Sequence, residues 1–246
     1  MTEPHRASLI DDYRRDGVVR IQRLFDEDQV RELRQNIERY RAEVVPQVPA
    51  SEFTREPDGT SMRNLWRMNV HDPYFAALAE NERLHALVAS LVNGEPVLMG
   101  VETFNKPALV GSAVPPHQDN AYFCQSPPDV LSAWVAIDAA TAENGAVEYL
   151  LGSHGELLPH AASGVKGNSF GLAEPIPTGR FELFRGVVDP GDALIHHGQT
   201  IHQSQPNRTA QPRLSLILVY RGAHTQTDGR LLEQYRQAQS QVTTIA

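Results

Sequence analysis

The chain places an imidazole and a carboxylate two residues apart, at His117 and Asp119. Residues i and i+2 of an extended segment point to the same side, so these two side chains can offer one nitrogen and one oxygen to a common point. A third donor can come from a histidine further along the chain, such as His202. Two histidines and one carboxylate on one face of a metal, with the opposite face open, are typical of non-haem Fe(II) oxygenases.

The pattern has competing interpretations. An isolated H-x-D pair also arises by chance, and a histidine that follows an apolar run is commonly buried and hydrogen-bonded. Four other histidines compete with His202 for the third position, and they are His154, His196, His197 and His224. Of these, His197 shares a strand face with Ala193 and Ile195, which favours a packed histidine.

Further short motifs occur in a fixed order along the chain. They are Asp16-Gly17-Val18-Val19, Asn105-Lys106-Pro107, His117-Gln118-Asp119-Asn120, Ala133-Trp134-Val135-Ala136-Ile137-Asp138, Glu143-Asn144-Gly145-Ala146, Gly152-Ser153-His154, Gly191-Asp192-Ala193-Leu194, and His202-Gln203-Ser204 with Asn207 and Arg213. In their order and spacing these motifs resemble the phytanoyl-CoA dioxygenase family of Fe(II)/2-oxoglutarate oxygenases. The resemblance extends from Asp16 to Arg213 and covers most of the chain.

The resemblance implies a role for particular residues. His202 becomes the third metal ligand, because Arg213 stands where the family places the anchor for the distal carboxylate of 2-oxoglutarate. A planar guanidinium matches a carboxylate with two parallel hydrogen bonds. Ser204 matches a hydroxyl that helps to hold the same carboxylate, and Trp134, otherwise a core residue, matches a tryptophan beside the co-substrate. Arg63 aligns loosely with a second cation near the co-substrate, and a solvent-facing role is an equal alternative.

The activity implied by the resemblance is hydroxylation of an unactivated C–H bond, with 2-oxoglutarate and O2 as co-substrates and succinate and CO2 as products. Related iron halogenases carry a small residue at the position of Asp119, so the carboxylate favours hydroxylation. Two alternatives remain open on the same barrel. One is a redox-silent site, such as that of a zinc hydrolase or isomerase, because two histidines and an aspartate also bind Zn²⁺. The other is a binding protein without catalysis.

The substrate is less constrained by the sequence. Glu102 and Glu148 could receive a cationic amine if their strands face the barrel, and a plain surface role is the alternative for both. Phe104, Tyr122 and Phe123 could form the wall of a substrate pocket or pack in the core. No basic cluster marks a site for the phosphates of coenzyme A. We therefore expect a small metabolite, such as an amino acid or a natural-product intermediate.

Composition restricts the broad class. The length of 246 residues predicts a single domain over 1–246, and the resemblance implies that this is an oxygenase domain. A formal net charge of −8 disfavours a nucleic-acid partner or an anionic membrane. The single cysteine, Cys124, has no partner for an internal disulfide, and this suits a cytoplasmic location. No stretch of the sequence is long and apolar enough to span a bilayer.

The elements that must position these residues change in character along the chain. Amphipathic patterns predict helices in the first third, and short strands punctuated by turns begin at Pro96. Residues 46–60 predict an irregular loop, either a lid or an ordinary mobile loop, and residues 155–185 predict a long irregular segment. Periodicity is compatible with a sandwich or a barrel. The resemblance implies a mainly β fold, a double-stranded β-helix (a jelly-roll or cupin-like barrel) with flanking N-terminal helices.

Overall fold

Helices are the main regular structure before residue 95, and strands are the main regular structure after it, as the sequence predicts. The computed structural model describes residues 3–165 and 167–245. Its α-helices are α1 Glu3–Asp16, α2 Glu27–Arg39, α3 Met68–His71, α4 Pro73–Ala77, α5 Glu82–Leu91, α6 Asn120–Phe123 and α7 Gly229–Ile245. One π-helical turn, Tyr40–Val44, continues α2, and 3-10 turns lie at Val45–Gln47, Ala50–Glu52, Leu78–Glu80 and Ser153–Gly155.

Most of the strands are short, and neighbouring strands pair in the antiparallel sense. They are β1 Val18–Ile21, β2 Phe53–Arg55, β3 Met62–Leu65, β4 Pro96–Lys106, β5 Val114–His117, β6 Gln125–Ser126, β7 Val130–Ala136, β8 Val147–Leu150, β9 His160–Val165, β10 Asn168–Leu172, β11 Leu183–Gly186, β12 Ala193–His197, β13 His202–Ser204, β14 Arg213–Gly222 and β15 Gln226–Thr227.

A seven-stranded sheet in the order β1-β12-β7-β14-β4-β3-β2 forms the largest layer. Its central strands β7 and β14 are nearly continuous apolar runs, which is typical of a sheet that is covered on both faces. Alternate residues of β14 divide between the two faces. Leu216 and Leu218 pack with the helices, whereas Ile217 and Val219 face a second layer.

The helical face holds the larger part of the core. Helix α2 begins with a capping box in which Asp26 and Gln29 each bond the other's backbone N–H. Three of its residues, Val30, Leu33 and Ile37, are buried against the sheet. Residues Leu84, Leu87 and Val88 of α5 join the same cluster, so the helices close this face of the sheet and leave the other face for the site.

The second layer is a four-stranded sheet in the order β11-β8-β13-β5. Strands β13 and β5 are neighbours, and His202 pairs directly with His117. On its other side His202 pairs with Tyr149 of β8. Two histidines that are distant in the sequence therefore meet through the register of this sheet.

Two predicted loops contain regular structure. Residues 46–60 were expected to be irregular, but β2 lies within them and pairs with β3 at the edge of the large sheet. Residues 155–185 contain the hairpin of β9 and β10, and Leu183–Gly186 adds β11 to the small sheet. Within the described ranges no helix has the length and hydrophobicity needed to cross a membrane.

Candidate active site

The three predicted ligands converge. One donor atom from each of His117, Asp119 and His202 lies within 4.8 Å of the other two. Nε2 of His117 and Nε2 of His202 are each 3.5 Å from Oδ1 of Asp119. The convergence has a different local cause from the one that the sequence suggested. His117 ends β5, but Asp119 has helical backbone angles at the start of α6, so an extended i, i+2 pair is not what brings these side chains together.

Backbone carbonyl groups orient both imidazole rings. Nδ1 of His117 lies 2.9 Å from the carbonyl oxygen of Pro115, and Nδ1 of His202 lies 2.9 Å from that of Thr200. A carbonyl only accepts, so each Nδ1 carries the proton and each Nε2 presents its lone pair towards Asp119. This arrangement of the outer hydrogen bond is the usual one for a metal-binding histidine. Burial lowers the pKa of His202 well below its usual range, which favours the neutral ligand form.

Two further side chains hold the carboxylate. Ser132 Oγ donates to Oδ2 of Asp119 at 2.6 Å, and His196 Nε2 donates to the same oxygen at 3.1 Å. Tyr149 extends this hydrogen-bond network, because its hydroxyl lies 3.3 Å from Nδ1 of His196. Burial opposes ionisation of Asp119, but the surrounding histidines, His202 first among them, outweigh it and hold the pKa of the carboxyl well below its usual range. Oδ1 is thereby left to face His117 and His202.

Arg213 lies in the same cavity as a buried positive charge. The residue is 2% exposed, and its guanidinium is 5.2 Å from the centroid of the Trp134 ring. Nη1 donates to the carbonyl oxygen of Gly145 at 3.3 Å, but Nε has no hydrogen-bond partner. None of the ion pairs among the described residues includes Arg213. Burial lowers its pKa to about 10, so the group is still cationic at neutral pH. A buried charge without a counter-charge is costly, which points to an anionic ligand.

A cavity of about 540 Å³ joins these groups, a volume suited to small molecules. Ten predicted residues line it, and they are Glu102, Phe104, His117, Asp119, Tyr122, Phe123, Trp134, His202, Ser204 and Arg213. Its floor is one face of the large sheet, where the rows Glu102–Ile217–Trp134 and Val219–Ser132–His196 run across neighbouring strands.

Two predicted residues do not line the cavity. Arg63 is buried next to Glu56, with Nη1 3.4 Å from Oε2, and Nη2 donates to the carbonyl oxygen of Ala113. Glu148 accepts hydrogen bonds from Arg185 and Gln203 at 2.8–3.0 Å. The carboxylate of Glu148 is thus occupied by partners from neighbouring strands.

Sequence reasoning missed three residues that surround Asp119, namely Ser132, Tyr149 and His196. His196 was considered only as a competing ligand, and the alternation of β12 does place it opposite to the face of His197. The alternation of β12 identifies His196 as a cavity residue only when the neighbouring strands β7 and β1 are known. Their positions show which face of β12 meets the cavity. His197 itself accepts a hydrogen bond from the backbone N–H of Gln199 and contacts the rings of Tyr13 and His154.

A comparison with models of known protein families identifies the family of this chain. The model of the phytanoyl-CoA dioxygenase (PhyH) family matches residues 13–215, which include all three converging residues and reach the start of β14. The chain belongs to this family. Among its relatives, the dioxygenase lolE1 of Epichloe uncinata is 29% identical over 158 residues, an alignment that covers 59% of this chain and 59% of that protein. The chain spans about half the length of several phytanoyl-CoA dioxygenases that it matches.

Two other similarities extend over nearly the whole chain. The L-proline trans-4-hydroxylase of Streptomyces griseoviridis is 28% identical over 228 residues, which covers 85% of this chain and 83% of that enzyme. Among solved structures, the epimerase SnoN in complex with Fe³⁺, alpha-ketoglutarate and nogalamycin RO is 25% identical, with a TM-score of 0.74 and coverage of 91% of this chain and 86% of that one. The similarity to these two proteins therefore extends well beyond the residues of the cavity.

Proposed function

We propose that this PhyH-family protein is a non-haem Fe(II)/2-oxoglutarate-dependent dioxygenase that hydroxylates an unactivated C–H bond of a small metabolite, an amino acid or a natural-product intermediate. The reaction is R–H + 2-oxoglutarate + O2 → R–OH + succinate + CO2. The observation that carries the proposal is the buried, unpaired cation of Arg213 in the same cavity as the cluster of His117, Asp119 and His202. A simple hydrolytic metal site has no need for that cation.

The donor set fits iron. Fe(II) requires neutral imidazole and ionised carboxylate ligands, and it must keep open positions for co-substrate and O2. The two Nε2 atoms and Oδ1 of Asp119 provide three donors on one side, and the cavity lies on the other. When bound, the iron supplies O2 activation and a template for the reactants. The protein's part is to fix the ligands, which the carbonyls of Pro115 and Thr200 do for the histidines.

The co-substrate fits the other end of the site. Arg213 would bind the distal carboxylate of 2-oxoglutarate, because its free Nε and a terminal nitrogen form the fork that a carboxylate needs. Trp134 packs against the guanidinium and keeps it in place, and Ser204 lines the same cavity with a hydroxyl donor. Both side chains exclude water from the ion pair, which strengthens it.

The type of oxidation follows from Asp119. Its carboxylate would occupy the position on the iron that a halide would need, so we infer hydroxylation. The relatives support small-molecule oxidation, since one is described as a proline hydroxylase and another was crystallised with alpha-ketoglutarate and nogalamycin RO. We also propose that the two facing sheets form a double-stranded β-helix and that residues 1–246 constitute one oxygenase domain.

An anaerobic titration tests the proposal. Addition of Fe(II) and then 2-oxoglutarate to the metal-free protein should produce the weak visible charge-transfer band of the chelate, and Arg213→Ala should weaken it. With O2 admitted, succinate should form from 2-oxoglutarate, and its rate should rise with the correct substrate in a screen of amino acids and related metabolites. Iron binding without the band would contradict the proposal and would favour a redox-silent metal site or a binding protein.

A further inference from the structure

Glu102 is a carboxylate inside the cavity that no protein group satisfies. It lies in the middle of β4 and lines the same cavity as the three converging residues. No hydrogen bond or ion pair among the described residues involves its side chain. Burial raises the pKa of its carboxyl to about 8, and the charge of Asp119 adds to the effect. At neutral pH the carboxyl is therefore mostly protonated in the empty cavity, and a ligand that brings a positive charge favours its ionised form.

The register of the large sheet aims Glu102 at the space where a substrate would lie. Glu102 pairs with Ile217, which pairs in turn with Trp134, so all three stand on the cavity face. The neighbouring position on β4 that shares this face is Gly100, and a Cβ placed there would be 3.6 Å from Oε1 of Glu102. The absence of a side chain at Gly100 leaves room beside the carboxylate.

Among the described residues, two guanidinium groups line the cavity, and neither pairs with Glu102. Arg67 also lines the cavity, but Glu52 holds it through hydrogen bonds from both Nε and Nη2. Arg213 stacks on Trp134 and donates to Gly145. In the described part of the chain the cavity therefore contains two ionisable groups without a counter-charge, Arg213 and Glu102, whose charged forms have opposite sign.

We propose that Glu102 binds the protonated amine of the primary substrate, and that the substrate class is a small cationic amine. This inference rests on the proposed function, in which Arg213 is taken by the carboxylate of 2-oxoglutarate and so cannot neutralise Glu102. Phe104 lies two residues further along the same face of β4, and Trp66 packs edge-on against it at 5.5 Å. These rings provide an apolar wall for the carbon skeleton of the amine and a π-face for its charge.

Glu148 provides a matched control. It was an equal candidate by sequence, and like Glu102 it is a strand glutamate, buried where Glu102 is half-buried. In the structure, however, Arg185 and Gln203 occupy its carboxylate, and it does not line the cavity. Glu102→Gln and Glu148→Gln thus make the same change from carboxyl to amide at two strand positions, and only the first position faces the proposed substrate.

The experiment uses probes that differ in charge but not in shape. Piperidine and pyrrolidine are protonated at neutral pH, and tetrahydropyran and tetrahydrofuran are their uncharged isosteres. Binding to the anaerobic protein loaded with Fe(II) and 2-oxoglutarate is measured by calorimetry. We expect each amine to bind at least about tenfold more tightly than its isostere, and we expect Glu102→Gln to reduce the ratio to within about threefold. Glu148→Gln should keep the wild-type preference.

Equal binding of amine and isostere, no binding of either amine, or an unchanged preference in Glu102→Gln would overturn the inference. The chelate band separates this failure from failure of the proposed function. If the band forms in the wild type and in Glu102→Gln but amines are not preferred, only the role of Glu102 is wrong. If the band does not form in the wild type, the oxygenase proposal itself fails.

Discussion

His196 donates to Oδ2 of Asp119 from 3.1 Å, although the two residues are 77 positions apart in the sequence. Ser132 donates to the same oxygen from 2.6 Å. The two donors fix the plane of the carboxylate, so that its other oxygen points towards His117 and His202. The carboxylate is thus oriented to bind through one oxygen atom. Its conformational entropy is lost during folding and not when the metal binds.

This arrangement predicts a metal-affinity effect for residues that do not bind metal. We expect His196→Ala and Ser132→Ala each to weaken Fe(II) binding by roughly 10–100-fold, because loss of a partner that orients a ligand typically has this effect. Titration of metal-free protein with Fe(II) measures the change. His197→Ala is the matched control, since His197 lies on the opposite face of β12. Unchanged Fe(II) affinity in the double variant of His196 and Ser132 would contradict the role.

Asp119 itself should be indispensable. Asp119→Ala removes the anionic donor of the cluster, so we expect loss of tight Fe(II) binding and of succinate formation, with a circular-dichroism spectrum like that of the wild type. Asp129→Asn serves as the control, because Asp129 pairs with His224 away from the cavity. Undiminished turnover by Asp119→Ala would remove Asp119 from the site.

Arg213→Ala should affect ligand binding and stability differently. The apparent affinity for 2-oxoglutarate should fall by about tenfold or more, since a hydrogen bond to a charged group contributes roughly 1.5–3 kcal/mol. The free energy of unfolding of the ligand-free protein should not fall with it, because the variant loses a buried charge that has no counter-charge. Denaturant unfolding and 2-oxoglutarate titration test both. Arg185→Ala, which removes a cation that pairs with Glu148 outside the cavity, should leave the co-substrate affinity unchanged.

Acid should destabilise the metal-free protein partly through His197. Burial, and to a lesser extent the nearby His154, lowers the pKa of His197 from 6.5 to about 4. Between these values the unfolded chain holds a proton that the folded chain lacks, so the free energy of unfolding falls as pH falls from about 6.5 towards about 4. The loss should reach about 2 kcal/mol at pH 5, at roughly 1.4 kcal/mol per pH unit. Urea unfolding at pH 7.5 and pH 5 should show a smaller difference for His197→Gln than for the wild type, and an identical difference would refute the assignment.

The turn before Ala146 should tolerate no side chain. Gly145 has φ of +87°, and a Cβ there would lie 2.4 Å from the carbonyl oxygen of Gln205 and 2.7 Å from Cδ of Lys106. Gly145→Ala should therefore lower the free energy of unfolding by at least about 1–2 kcal/mol, the usual cost of the left-handed backbone alone. It should also weaken 2-oxoglutarate binding, since the carbonyl of Gly145 accepts from Arg213. Gly155→Ala, where no atom lies within 4 Å of the added Cβ, is the matched control and should be nearly neutral.

Local pattern was enough to predict several elements. Strand β4 begins at Pro96, where the sequence predicts the change to short strands. The hairpin of β9 and β10 was missed, since its residues are mixed in polarity and interrupted by glycine. A strand of this kind is held by pairing with a neighbour, which a single window of sequence does not reveal.

The site was predictable to the extent that it depends on residue type. His117, Asp119, His202 and Arg213 have distinctive chemistry and spacing, and they do lie in one cavity. Glu102 and Glu148 could not be distinguished, because both are strand glutamates. Their difference arises from the neighbouring strand, where β11 brings Arg185 next to Glu148 and no described strand brings a cation to Glu102. His196 was missed as a partner of Asp119 because the two residues belong to elements that are distant in the sequence, β12 and the start of α6.

Strand β14 lies between β7 and β4 in the large sheet, although it comes after both of them in the chain. During synthesis on the ribosome, β4 and β7 emerge first, each with an unpaired edge, and their pairing with β14 is complete only after Gly222 has left the exit tunnel. While the segment from β8 to β14 is being made, the edges of β4 and β7 are therefore unpaired. During that time they can pair with strands of other chains and aggregate. A transcript truncated before Arg213 would yield a chain whose largest sheet lacks its centre, and such a chain would be a substrate for chaperones and proteases.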